Sequence, residues 1–124
     1  MSAANPKPLK LTRPEPTEAA VLLSVRRALS LHPKVAWFER MNSAAGRLLY
    51  PDGRASQFMR FGFVGMPDIL GQLKDGRLLA IEVKRPSGNV SPEQADFIEM
   101  SARHHAVAFV ARRVSDVLDV LEKV

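Results

Sequence analysis

The chain has 124 residues, no cysteine and a formal charge of +5. That length can bury a core unaided, and the lack of cysteine excludes both disulfides and thiolate zinc sites. An isoelectric point near 10.1 favours a polyanionic partner. No stretch approaches the roughly 18 apolar residues of a membrane span, and the lysine-bearing N-terminus lacks the apolar core of a secretory signal. A cytoplasmic location is expected, and a bacterial or phage context fits it.

Residues 1–16 carry Pro6, Pro8, Pro14 and Pro16 among Lys7, Lys10 and Arg13. Proline at this density blocks regular structure, so a flexible basic arm is expected there. The remainder, 17–124, reads as a single domain without internal repeats. Thr17 to about Leu31 has the spacing of a helix, with Val21, Leu22, Val25, Ala28 and Leu29 on one stripe. Glu18 falls on the same stripe. A first-turn glutamate suits the helix dipole, but its inward phase equally makes it a carboxylate aimed at the sheet.

His32-Pro33 ends that helix, and Val35 to Met41 reads as a strand. Strict alternation puts Val35, Trp37, Glu39 and Met41 on one face and Ala36, Phe38 and Arg40 on the other. From Asn42 to Phe63 the pattern weakens into a basic excursion. Arg47, Arg54 and Arg60 are interleaved there with Tyr50, Phe58, Phe61 and Phe63 around a Pro51-Asp52-Gly53 turn. Such a mixture suits a phosphate backbone and unpaired bases, and equally an ordinary surface hairpin.

Ile69–Leu73 and Leu78–Ile81 flank the turn signal Lys74-Asp75-Gly76-Arg77, which reads as a β-hairpin. Asp68 opens its first strand, and Glu82 and Lys84 lie in the second beside Ile81 and Val83. Charged groups seldom sit in a central strand unless paired or liganded. A two-residue turn would place Asp68 on the face opposite Glu82 and Lys84. A three-residue Lys74-Asp75-Gly76 loop with Gly76 left-handed pairs Leu73 with Arg77, and the three polar residues then share a face. Both faces are otherwise apolar, as in a central strand pair covered by helices on both sides.

After the loop Arg85–Asn89, Ser91-Pro92-Glu93-Gln94 has the form of a helix start, with Ser91 as cap and Gln94 completing a capping box. Gln94 also stands just beyond Lys84, so a share in the site is the second reading. The helix runs to about His104. His104 and His105 read as solvated helix-end residues. Ala106–Ala111 reads as a buried strand, Arg112-Arg113 as a basic edge, and Ser115 as the cap of a last helix.

Phosphodiester hydrolysis needs an activated water and a neutralised anionic transition state, and a divalent ion held by two carboxylates supplies both. The three histidines lack a ligand spacing with a nearby carboxylate, so a hard cation held by oxygen, Mg²⁺ or Mn²⁺, is expected. Asp68 and Glu82 are the candidate ligands, with the Val83 carbonyl as a third and Glu18 joining directly or through a water. Lys84 is the candidate for orienting the water and stabilising charge. Lys74 and Arg85 join Arg47, Arg54 and Arg60 as candidate DNA contacts.

Pro67-Asp68, thirteen intervening residues, then Glu82-Val83-Lys84 is similar to the PD-(D/E)XK nuclease signature. With Glu18 on the preceding helix, Gly65 before the proline, and Ser91-x-x-Gln94 opening the next helix, the chain resembles the VRR-NUC (virus-type replication-repair nuclease) subgroup over roughly residues 17–121. The resemblance implies an α/β fold with a restriction-endonuclease-like αβββαβ core, a central mixed sheet flanked by helices. It also implies Mg²⁺ or Mn²⁺ at Asp68 and Glu82, with Glu18, Lys84 and Gln94 on positions the family uses. Stand-alone members are associated with homodimers that cut branched DNA, notably four-way (Holliday) junctions. One departure is visible: the family tends to have glycine before the last strand, where this chain has His104-His105. The expected function is therefore junction resolution. The alternatives are a flap or nicking nuclease acting with a helicase or replication-repair partner, and an inactive DNA-binding module.

Overall fold

The computed structural model describes residues 13–42, 45–60 and 62–124, without the side chains of Ala45 and Arg60. Most of the expected N-terminal arm, and Phe61, lie outside the described residues. Thr17 caps the first helix, α1 (Glu18–Leu31), by accepting from the Ala20 amide at 3.1 Å, a contact worth about 1 kcal/mol. Its stripe is the expected one: Val21, Val25 and Leu29 are buried.

The chain continues through β1 (Val35–Arg40), β2 (Ala45–Gly46), β3 (Met59–Arg60), β4 (Ile69–Leu73), β5 (Leu78–Val83), α2 (Pro92–Arg103), β6 (Val107–Ala111) and α3 (Val114–Lys123). The main sheet has the order β1-β4-β5-β6. Its first two pairings are antiparallel and β5 with β6 is parallel, so α2 makes the crossover that a parallel pair requires. This is the expected mixed-sheet α/β core, with α3 added after β6.

Sheet parity decides what each helix covers. Ile69, Leu73, Leu79, Ile81 and Val83 point to one side and form the core with Val21, Val25 and Leu29 of α1 and Val117 and Leu121 of α3. The alternate residues of β5, Ala80 and Glu82, face the opposite layer, where α2 packs on β5 and β6. Lys34 joins the two ends of the α1/α3 layer: its ammonium donates to the carbonyls of Leu121 and Val124, at 2.6 and 2.8 Å. Those carbonyls lie at the end of α3, where cations are favoured.

The β4–β5 turn has the three-residue form. Ile69 pairs with Ile81 and Gln72 with Leu78; the Leu73 amide donates to Arg77 at 2.9 Å and Gly76 has φ +97°. Extending that register by one residue sets Asp68 opposite Glu82. The segment entering Asp68 is docked on α2. Gly65, at φ +84°, lies so close that a Cβ would stand 2.4 Å from the Glu93 carbonyl oxygen, and the Phe63 and Phe97 rings are 5.1 Å apart.

Two local expectations are corrected, and the loop-rich stretch after Asn42 takes the hairpin form. A bulge between Val35 and Trp37 interrupts the pairing of β1 with β4. Val35 is therefore buried, Phe38 packs on the same core, and Trp37 is 49% exposed; the extra residue breaks the strict alternation. Ser115 lies inside α3, whose cap position is Arg113. That cap makes no side-chain hydrogen bond; Asp116, in the first turn, accepts from the Arg112 amide just ahead of it at 2.8 Å. The weak pattern after Asn42 includes an extended hairpin: β2 pairs with β3, Leu49 bridges Ala55, and the Tyr50 amide donates to Arg54 at 2.8 Å.

The helix end at His104-His105 is a Schellman motif. The Ala106 amide donates to Ser101 and the His105 amide to Ala102, at 3.0 and 3.2 Å. His105 thereby adopts φ +71°, the left-handed region that glycine occupies without penalty. His105→Gly should accordingly stabilise the fold by roughly 1 kcal/mol, read as a rise in the urea midpoint at unchanged slope.

Candidate active site

Four elements converge at the end of the β4–β5 pair that is remote from its turn. Asp68 is delivered by the loop docked on α2, and its Oδ2 accepts from the Val83 amide at 2.7 Å. Glu82 and Lys84 follow from β5 and its continuation. Glu18 comes from the first turn of α1 and Gln94 from the first turn of α2. Carboxylate oxygens of Glu18, Asp68 and Glu82 all lie within 4.8 Å of one another.

Glu82 is the buried member, 1% exposed. Its Oε1 accepts from Gln94 Nε2 at 2.8 Å and lies 3.7 Å from Lys84 Nζ. Its Oε2 is buried without a hydrogen-bond partner among the described residues. Burial, then the neighbouring Asp68, pushes its pKa up to about 8, with Lys84 pulling the other way. A charged carboxylate is costly in such a place unless positive charge joins it. Lys84 supplies part of that charge, and its Nζ also lies 3.8 Å from Glu18 Oε1. Three clustered carboxylates, with one buried oxygen left unpaired, fit a hard, oxygen-seeking divalent cation. Glu18, Asp68 and Glu82 are the side chains able to hold it.

Gln94 has both expected places. Its Oε1 accepts from the Ser91 amide at 3.0 Å and completes the capping box, while Nε2 is left to hold Glu82. A single amide thus ties the start of α2 to the carboxylate.

The candidate DNA contacts are scattered. Arg85 is exposed directly after Lys84. Arg47 and Arg54 lie on the hairpin after β1, and Arg54 is paired with Asp52 at 2.7 Å. The Arg60 side chain lies outside the described residues. Lys74 occupies the β4–β5 turn, six residues and so roughly 20 Å along the strand from Asp68. One side chain beside the carboxylates is not signalled by the motif: Arg40, which lines a cavity of about 170 Å³ with Glu18, Ala19, Leu22, Asp68 and Val83. It comes from a different strand, whose register against β4 depends on a bulge that the sequence pattern does not reveal.

The mixed sheet, the paired Asp68 and Glu82 and the adjoining Lys84 define a nuclease-type α/β domain. The VRR-NUC domain family matches residues 18–115, and the chain belongs to that family. It is therefore a nuclease domain, and DNA is the substrate that its class implies. No curated protein and no solved structure matches at a significant level. Among the described residues, no helix is long and apolar enough to cross a membrane.

Gln94→Glu separates the two contacts of that residue. Glutamate also serves in a capping box, so the melting temperature should stay within a few degrees. The Nε2 donor to Glu82 is lost, and cleavage should fall about 10- to 100-fold. Retention of full activity would reduce Gln94 to a cap.

Proposed function

We propose that this chain is a metal-dependent, structure-selective DNA endonuclease that resolves four-way junctions. The observation that carries the reading is the unpaired, buried Oε2 of Glu82 beside Asp68 and Glu18. Such an arrangement is poor for stability and suited to a divalent cation.

In this reading Asp68 and Glu82 hold Mg²⁺ or Mn²⁺, with the Val83 carbonyl as a further ligand and Glu18 contributing directly or through a water. When bound, the cation acidifies the attacking water and adds positive charge for the anionic transition state. The chain's own groups do the rest. Lys84, between Glu82 and Glu18, orients the water and shares in neutralising the phosphate. Gln94 fixes the Glu82 carboxylate so that its free oxygen faces the cluster. The Val83 amide does the same for Asp68. Arg47, Arg54, Arg60, Lys74 and Arg85 supply positions for phosphates away from the cut, consistent with the +5 charge.

Junction resolution requires two incisions. Each chain contributes one site of this kind, so a two-fold dimer is the simplest assembly that makes them in pairs. Leu48, Leu49, Tyr50 and Phe58 are all exposed on the hairpin after β1, a surface suited to a second copy or to unpaired bases. Residues 1–16 stand in this proposal as a basic arm ahead of one nuclease domain.

Matched junction, flap, splayed and linear duplex substrates, cut in Mg²⁺ and in Mn²⁺, test the reading. Paired, symmetric cuts in the junction are expected; a preference for flaps would favour the helicase-coupled alternative. Asp68→Ala or Glu82→Ala should abolish cleavage while binding in Ca²⁺ survives, and full activity in EDTA would sink the metal mechanism. Independently of cleavage, Mn²⁺ at 100 times its dissociation constant should stabilise the chelated protein by about 2.7 kcal/mol. Glu82→Gln should remove that gain.

A further inference from the structure

Arg40 is the last residue of β1 and pairs with Ile69, next to Asp68. The following amide, Met41, donates to the Asp68 carbonyl at 2.7 Å. Because β4 lies between β1 and β5, Asp68 has a cation-bearing strand end on either side, with Lys84 following β5 and Arg40 ending β1.

The two cations are differently committed. Lys84 is part-buried and lies near Glu82 and Glu18. The Arg40 side chain has no hydrogen-bond or ion-pair partner among the described residues, although it lines the same cavity as Glu18 and Asp68. Arg54 and Arg77, by contrast, are each held by a carboxylate, Asp52 and Asp75, at 2.7 Å. An arginine beside acidic groups that remains uncommitted retains its full set of donors for an incoming anion. A guanidinium presents those donors in a fixed fork that matches phosphate oxygens.

We propose that Arg40 is a catalytic residue that donates to a non-bridging oxygen of the phosphate being cut. This rests on the nuclease reading of the site and assigns the substrate phosphate a contact on the β1 side. Lys84 and the carboxylate cluster lie on the β5 side. As the attacking oxygen approaches, negative charge grows on the non-bridging oxygens, and a donor already aimed at them acts more strongly on the transition state than on bound DNA.

The test compares wild type, Arg40→Ala and Arg40→Lys on one junction substrate. The readouts are the single-turnover rate in Mn²⁺, DNA affinity in Ca²⁺ and the melting temperature. Arg40→Ala should lower the rate about 100-fold and weaken binding several-fold, with little change in melting. Arg40→Lys should be intermediate, and added guanidinium should restore part of the alanine variant's rate, which a merely structural role would not allow. A rate within threefold of wild type for Arg40→Ala overturns the proposal, as does a loss that tracks unfolding. The two readings fail separately. A wild-type chain that cuts no substrate in either ion sinks the nuclease reading. Arg40 is then judged on calcium-supported binding, where an unchanged affinity for the alanine variant overturns its phosphate contact.

Discussion

A carboxylate with one oxygen paired and the other left bare, inside a sheet and beneath a helix, is a position that a fold reaches only with support. Glu82 has that position, and much of the surrounding architecture is explained by keeping it there. Gln94 reaches down from the first turn of α2 to hold one oxygen. The helix start that positions Gln94 is itself held by its capping box and by the close approach at Gly65. Lys84 brings positive charge from two residues along the same strand. Removing any of these leaves a buried charge less well compensated, so the cost falls on fold and chemistry together.

The main hairpin shows how far a sequence can carry such an argument. A strand has a side-chain period of two, so the wish to bring Asp68, Glu82 and Lys84 to one face restricts the turn, and Lys74-Asp75-Gly76 has the chemistry for the three-residue form. The observed register and the left-handed Gly76 agree. Glu18 was legible for a similar reason, because its phase follows from a stripe three residues deep into α1. Gln94 was legible in both of its places, although nothing in the sequence favoured having them at once.

What was not legible depends on departures from a period. The bulge in β1 adds one residue to one strand, which turns Trp37 outward and Phe38 inward, and no residue type in Val35-Ala36-Trp37 demands it. Ser115 has the residue type of a cap, but α3 starts at Val114 with Arg113 at a cap position that makes no side-chain bond, and Asp116 holds the preceding Arg112 amide. His105 hides a left-handed residue behind a side chain that does not advertise it. Arg40 stayed out of view because its neighbours at the site lie on other elements, and only the assembled sheet brings them together.

The bulge has one more effect. β1 is an edge of the four-stranded sheet, and an edge offers unpaired backbone groups to any passing strand. A flat six-residue edge would be a template on which a second chain could extend the sheet. The irregularity near Val35 twists and breaks that template, and the charges on Glu39 and Arg40 make it a poor surface for apolar strands. The feature that spoils the alternation of β1 thus also guards its sheet edge against pairing with another chain.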